Sequence, residues 1–476
     1  MNETIINIGL AATQILFTFA LGFYLITCLQ WFSYKFERVL FHFTRPLWHV
    51  FFLIVPIVLF YGAERFFWIY FYFALVPSLA LWHKKLDKKL VFTPRVKRFF
   101  VILALAVIAS YAVYIATQYR VNLGVVLPLV LSFALSFLLE KAKFKAYENS
   151  ARKKLASMPE LKIIMITASF GKTSNFLFEL LKNDFVCRKT PRSVNTLAGL
   201  IQDVNNELAA GTQIYIAEAG ARLKGDIAQI TEFLNPQIAI VGEIGAQHIE
   251  YFKTLENIRA TKLEALGSKR LEKAFVHSST QANESEKIEI YDKDLSGVEA
   301  SLDGIKFKLG KREFASPLLG KFNAANLAVC VKTALYLGLD EARIASALAR
   351  LKNVEHRLER IDAGGKIIID DGFNGNFNGM SASYELVAGY EGRKVLVTPG
   401  IMESSDKENE KLSKIINKTF DIVMLTSSLN AVALLKHLNR PKVIVIKDKS
   451  KMQEALAQNT RAGDLILFSN DAPSFM

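Results

Sequence analysis

The sequence predicts an N-terminal α-helical transmembrane region followed by two α/β domains, a P-loop ATPase-type central domain and a Rossmann-like C-terminal domain. Three observations predict it. Long apolar runs are confined to residues 1–145; β-branched runs alternate with helical segments in two series after residue 155; and Gly171-Lys172-Thr173 stands between the first strand of that region and a helix. The boundaries are 1–145 for about five transmembrane helices, 155–353 for the central domain and 354–476 for the C-terminal domain. A chain of 476 residues can give each part its own core.

The apolar runs come first. Hydrophobic residues make up 51% of the chain and the mean hydropathy is +0.22, more than a soluble enzyme needs. The runs cover 5–31, 48–61, 66–82, 99–117 and 121–139, and the first, fourth and fifth approach the roughly 20 residues that cross a bilayer. The second and third also fit a tilted pair or a re-entrant hairpin. Cytoplasmic loops retain Lys and Arg. The basic loops hold Lys35, Arg38 and Arg45, then Lys84 to Arg98, then Lys141 to Lys154, whereas the intervening turns carry only Arg65 and Arg120. Five spans with the N-terminus outside then place everything after residue 140 in the cytoplasm. The expectation is a multi-pass protein of the bacterial inner membrane with membrane lipid as a partner. A cleaved signal peptide fits poorly, because no basic residue precedes the first run.

The net charge of +14 belongs mostly to that region. Residues 1–154 hold 18 Lys and Arg against 6 Asp and Glu, a balance of +12, which leaves 41 against 39 for the remainder. The excess follows membrane topology and anionic lipid, and gives no case for a nucleic-acid partner. Cys28, Cys187 and Cys330 are far apart and form no paired spacing, so they read as free thiols in a reducing compartment.

The soluble part predicts strands at 162–167, 213–218, 237–242 and 274–278, then short antiparallel strands near 287–314 and a closing helix at 323–337. After a joint at 354–360 a second series predicts strands at 366–371, 394–399, 420–426, 442–447 and 464–469, enough for an open doubly wound sheet.

The chemistry starts at the loop. Thr167-Ala168-Ser169-Phe170-Gly171-Lys172-Thr173-Ser174 follows a strand and opens a helix, a setting in which backbone amides and the helix N-terminus hold phosphate oxygens. Lys172 reaches the β and γ phosphates and the Thr173 hydroxyl meets magnesium. The general pattern has glycine where Ile166 stands, so an ordinary strand-to-helix turn remains open. Glu218 ends a strand in Ile216-Ala217-Glu218-Ala219-Gly220, where an α/β sheet presents a metal ligand, although a solvated strand end reads the same way. Asn323 either offers an adenine edge a donor and an acceptor side by side, or simply caps its helix.

Taken in order, these segments resemble the Mur ligase family over roughly residues 160–470. The loop is similar to the family's Thr-Gly-x-x-Gly-Lys-Thr, with Ala168 for the first glycine, so its backbone must avoid positive φ there or carry strain. Glu218 matches the glutamate that holds the magnesium bridging the ATP phosphates. His248, in Gly245-Ala246-Gln247-His248, and Lys262 match the second-metal pair, with Lys262 carbamylated as in many members. Gly320-Lys321-Phe322-Asn323-Ala324-Ala325-Asn326 resembles the box whose asparagines, here Asn323 and Asn326, sit at the adenine end of ATP, with Phe322 for the usual histidine. Arg357 matches a hinge arginine that reaches ATP, with His356 for glycine. Asp370-Asp371-Gly372-Phe373-Asn374-Gly375-Asn376 and Thr398-Pro399-Gly400-Ile401-Met402-Glu403 resemble the D-alanyl-D-alanine-adding branch. There Asp371 binds the ribose, and Asn374 and Asn376 shape the loop facing the substrate.

The resemblance implies ATP, two Mg2+ ions and an acyl-phosphate route to an amide. The acid would be UDP-N-acetylmuramoyl-tripeptide and the amine D-alanyl-D-alanine, in peptidoglycan synthesis. Lys172, His248, Lys262 and Arg357 carry the catalytic roles by this match. Family members usually have a soluble N-terminal domain for the UDP end, and membrane helices occupy that place here. Another acid substrate is therefore the alternative. A nucleotide-switched transporter or sensor is a further one, weakened because the apolar runs contain almost no ionisable residue.

Overall fold

The structure is a computed structural model. It describes residues 3–470 apart from 33, 35, 37–38, 40–46, 87, 169–172, 192, 246–248, 354, 374, 376, 402–405, 427–433 and 447. Two compact units divide the chain, Met1–Asn149 and Ser150–Met476.

The first unit is helical. Among the described residues, two helices are long and apolar enough to cross a membrane by length and composition, Ile6–Trp31 and Pro94–Ala116. The second apolar run forms the shorter helix Leu47–Gly62 and the third forms a helix over 67–84. The fifth run begins the helix Val126–Ala156, which continues through the basic segment after it. Two turns widen to π-helix, Val50–Ile54 and Phe71–Leu75, just ahead of Pro56 and Pro77. Proline supplies no N–H and its ring crowds the carbonyl one turn back, so the preceding turn opens. Phe17, Tyr24, Phe67, Phe71 and Phe99 fill the core of this unit, while Phe73 is 75% exposed and Ile108 63%.

The second unit begins with a parallel sheet. Strands β1 (Lys162–Thr167), β2 (Cys187–Lys189), β3 (Ile214–Glu218), β4 (Ile238–Val241), β5 (Lys273–Val276) and β6 (Ile288–Ile290) lie in the order β2-β3-β1-β4-β5-β6, all parallel. The near-continuous apolar sequence of β1 suits a strand covered on both faces. Ile164, Ile166, Ile216 and Ile240 point to one face, packed by helices Thr173–Leu181 and Asn323–Tyr336, and Met165, Tyr215 and Ala239 point to the other. The segment expected to be antiparallel throughout 287–314 divides. Its first piece, β6, joins the parallel sheet, and only β7 (Leu295–Ser301), β8 (Gly304–Leu309) and β9 (Arg312–Ser316) form an antiparallel sheet.

The second sheet has the order β10-β11-β15-β12-β13-β14, from β10 (Glu359–Ala363), β11 (Lys366–Asp371), β12 (Lys394–Thr398), β13 (Ile422–Leu425), β14 (Lys442–Val445) and β15 (Leu465–Ser469). Five of these strands match the expected series. The sixth, β10, pairs antiparallel with β11 and occupies what the sequence reading assigned partly to a joint. Its polar alternation, Glu-Arg-Ile-Asp-Ala, hides an edge strand among charged residues.

The parts carrying the first and second sheets are connected by side chains as well as by the chain. Arg360 Nη1 donates to Leu302 O at 2.8 Å and to Asp303 Oδ1 at 3.1 Å, which fixes β10 to the β7–β8 turn. Leu358, fully buried, packs in one cluster with Leu319 and Phe322.

Candidate functional site

Strand order places the site. From β1 the chain runs to β2 and β3 on one side and then crosses to β4 on the other, which makes a crevice at the C-terminal ends of β3, β1 and β4. The register aligns Ile166 with Glu218 and Thr167 with Val241, so the three strands end together. Thr167 is buried and its carbonyl accepts from Gly242 N at 2.9 Å. Ala168 does not adopt a positive φ, and a Cβ added to Gly242 would meet the Ala168 Cβ at 2.7 Å. The extra methyl in the loop is thus accommodated by a missing one on β4's exit. Ser169, Phe170, Gly171 and Lys172 lie outside the described residues.

Thr173 and Ser174 open the helix after the loop, both nearly fully buried. The Thr173 hydroxyl donates to Asn326 Oδ1 at 3.1 Å, and the Ser174 hydroxyl donates to the Glu218 carboxylate in a short hydrogen bond. Burial raises the pKa of the Glu218 carboxyl; the Ser174 hydrogen bond and the charges of Lys189 and Arg357 oppose that rise. The influence of Arg357 at Glu218 connects the C-terminal part of the chain to the crevice of the first sheet.

Asn323 is the first residue of its helix rather than its cap, and it is fully buried. Its amide donates to Leu319 O at 2.7 Å, and Asn326 Nδ2 donates to Asn323 Oδ1 at 3.5 Å. Asn326 therefore links the helix Thr173–Leu181 to Asn323–Tyr336, while Asn323 ties the start of its own helix to the loop before it.

On the other side, Lys262 sits in the last turn of the helix Leu255–Leu263, which Thr254 caps by accepting from Asn257 N at 3.2 Å. Burial pushes the Lys262 amine down to about 8. Neighbouring Glu264 accepts from Gly225 N and Ala228 N, both at 2.9 Å, and so serves the start of another helix. His248 lies outside the described residues. Among the described residues no three of His, Cys, Asp and Glu converge on one point.

In the second sheet, Asp371 ends β11 buried, aligned with Ser469 at the end of β15. Arg357 is half-buried in the segment before β10. Asn374, Asn376, Met402 and Glu403 lie outside the described residues.

Four residues that sequence reading passed over help to build these ends. Thr190 Oγ1 accepts from Glu218 N at 3.1 Å, Lys189 donates to Asn175, and the Asn195 carbonyl accepts from Gly220 N at 2.8 Å. Asn470 donates from its backbone to Asp371 O at 3.2 Å and from its side chain to Gly400 O at 2.8 Å, with a φ of 58°. The only local signal for Asn470 is an asparagine just past a strand, a residue type that tolerates the left-handed region. β2, which carries Lys189, is three residues long and too short to show a period.

A buried carboxylate and helix-start hydroxyls at a sheet switch point, under the charge of an arginine from a second α/β part, suit the phosphate oxygens and divalent cation of a nucleotide. Comparison with known proteins identifies the family. Residues 163–334 match the Mur ligase middle domain and residues 356–470 match the glutamate ligase domain of Mur ligases, together more than half of the chain. The chain belongs to the Mur ligase family and is an ATP-dependent amide ligase. Mur ligases in general use ATP and Mg2+.

The UDP-N-acetylmuramoyl-tripeptide–D-alanyl-D-alanine ligase of Bacillus subtilis is 28% identical over 331 residues, covering 64% of this chain and 72% of that protein. The enzyme of the same name from Borreliella burgdorferi is 26% identical, and the chain spans 64% of its length, just under two thirds. The crystal structure of MurF from Thermotoga maritima in complex with ADP superimposes with a TM-score of 0.59 at 25% identity, covering 69% of this chain and 80% of that one.

Proposed function

We propose that this enzyme joins D-alanyl-D-alanine to UDP-N-acetylmuramoyl-tripeptide at the expense of ATP, and that its helical unit tethers it to the bacterial inner membrane with the ligase part in the cytoplasm. The similarity to relatives of that activity carries the first half, and the Ser174–Glu218 hydrogen bond at the strand ends, under the charge of Arg357, fits the phosphate end of the reaction. The tripeptide carboxylate attacks the ATP γ phosphorus and ADP leaves, giving an acyl phosphate. The amine of D-alanyl-D-alanine then attacks the acyl carbon, loses a proton and expels phosphate.

In this reading Thr167, Ser169, Phe170, Gly171, Lys172, Thr173 and Ser174 enclose the phosphates, with Lys172 and Arg357 stabilising charge on the transferred group. Asp371 faces the ribose, Asn323 and Asn326 support the adenine end, and Asn374 and Asn376 belong to the loop facing the substrate. The Thr173 hydroxyl and Glu218 carboxylate are hard oxygen donors and fit Mg2+; His248 and Lys262, the latter as a carbamate, would hold a second ion. Bound Mg2+ supplies charge neutralisation along the phosphates. The depressed pKa of Lys262 leaves much of its amine neutral near pH 8, the form that takes up CO2.

The two membrane-length helices and the exposed apolar side chains of the first unit, such as Phe66, Phe73 and Ile108, support the tether, because soluble surfaces rarely expose so many. Phosphate release in the presence of ATP, tripeptide substrate and D-alanyl-D-alanine tests the reaction. Release should require both substrates. Release with a different acid in place of the nucleotide tripeptide would favour another Mur-type substrate, and release with neither would overturn the ligase assignment.

A further inference from the structure

The helical unit contains a cleft of about 680 Å3 between helix Glu3–Trp31 and the helix over 67–84. Phe71 lines one end, Phe19, Phe23 and Phe100 form walls, and His83 and Phe92 line the other end. From Phe71 to His83 the helix rises about 18 Å. The cleft begins at the π-helical turn Phe71–Leu75, where the widened backbone ahead of Pro77 moves side chains apart. Ring contacts fix the walls: Phe19 to Phe100 at 6.3 Å, Phe92 to Phe100 at 6.0 Å and Phe23 to His83 at 5.0 Å.

The His83 end differs in chemistry from the rest. The loop after the helix folds back on it, with Leu90 N donating to His83 Nε2 at 3.2 Å and Gln30 exchanging two hydrogen bonds of 2.8 Å with the Val91 backbone. Lys84 ends the helix and the loop carries Lys85, Lys88 and Lys89, all four exposed, beside Val91 and Phe92, which are 63% and 56% exposed. Among the described residues no carboxylate forms an ion pair with these four lysines, whereas nearby Arg98 is bound to Glu140 at 2.5 Å. An apolar slot that ends in exposed cations and exposed aromatic surface is complementary to a molecule with a long apolar chain and an anionic head.

We propose that this cleft binds one chain of an anionic phospholipid, with its phosphate held by Lys84, Lys85, Lys88 and Lys89. The inference rests on the membrane tether proposed above. The apolar walls accept any acyl chain of suitable length, so discrimination between lipids comes from the loop. A zwitterionic lipid fills the slot equally well but brings no net charge to the four lysines.

Native mass spectrometry of the full chain in detergent, with phosphatidylglycerol or phosphatidylcholine of identical chains at equal concentration, tests the site. Juxtamembrane lysines at an anionic headgroup should give about a tenfold preference for phosphatidylglycerol. Replacing the four lysines with Gln (K84Q, K85Q, K88Q and K89Q together) should abolish the preference without lowering phosphatidylcholine retention, and replacing all four with Arg should keep it. Ala80 lines the cleft with an exposed side chain, so Ala80→Trp should reduce retention of both lipids while the melting temperature in detergent stays unchanged. Equal retention of the two lipids by the unaltered chain, a preference that survives the Gln variant, or competition by glycerol phosphate without chains would each overturn the site. A separate flotation assay addresses the tether. A chain that floats with vesicles of both lipids but shows no preference refutes the site alone, and a chain that floats with neither refutes the tether.

Discussion

His356 Nδ1 lies 2.6 Å from Asp370 Oδ2, so the segment that joins the two α/β parts is held to the end of β11, one residue from Asp371. His356 stands at φ 59°, where an unbranched glycine would rest without strain, and its ring meets Phe373 edge-on at 4.9 Å. A contact that offsets backbone strain beside Arg357 fixes where that arginine starts.

The hydrogen bond to Asp370 raises the His356 pKa above its ordinary value of 6.5. Between the ordinary and the raised value the folded state binds more protons than the unfolded state, so stability from this pair is complete below 6.5 and is lost as pH rises through the folded value. Thermal melts of His356→Ala should show a loss of about 1 kcal/mol at pH 6 that shrinks at pH 9. His356→Gly should lose less than His356→Ala at either pH, because it releases the strain. Equal losses at both pH values would mean the ion pair contributes nothing.

Ala168 and Gly242 form a complementary pair of small residues. Gly242→Ala should cost about 1 to 3 kcal/mol in chemical denaturation, through a second Cβ forced against the first. Adding Ala168→Gly to that variant should recover most of the loss; simply additive costs would show that the two positions do not meet.

Glu218→Gln should fold normally, since the Ser174 hydroxyl can donate to the amide oxygen as it does to the carboxylate. Its ligation rate should fall by about 10² to 10³, the scale for removing one charged group from a preorganised site. EDTA should bring the unaltered enzyme to a comparably low rate, and Mg2+ should restore it. A Gln variant as active as the parent would remove Glu218 from the metal site.

Lys262 offers a spectroscopic test. With its amine pushed down to about 8, carbamate formation should rise as pH increases through that value. A 13C carbamate signal from labelled bicarbonate should be present at pH 8.5 and missing in Lys262→Arg, whose activity should fall about a hundredfold. Full activity after stripping CO2 from the unaltered enzyme would argue against the carbamate.

The sequence showed the first sheet where period and composition speak locally. β1 and β4 are uninterrupted β-branched or apolar strands; Glu218 is singled out because it closes a strand of this sheet, and Asp371 by resemblance to a family segment. The short β2 and the charged edge strand β10 were missed for the same reason, since neither buries enough to show a pattern. Asn323 was read as a cap or an adenine contact. The structure makes it the first helical residue and directs its amide to Leu319 O, a backbone carbonyl that the residue pattern does not single out.

By itself the sequence determined the apolar N-terminal region, the long apolar strands and the family to which residues 163–334 and 356–470 belong, because each is set by local spacing and motif order. Tertiary structure decided that Ser174 bonds Glu218, that the charge of Arg357 acts on Glu218 from a second domain, and that Gly242 makes room for Ala168. These relations depend on which strand ends lie side by side, and sheet order is fixed by long-range pairing that no window of sequence contains.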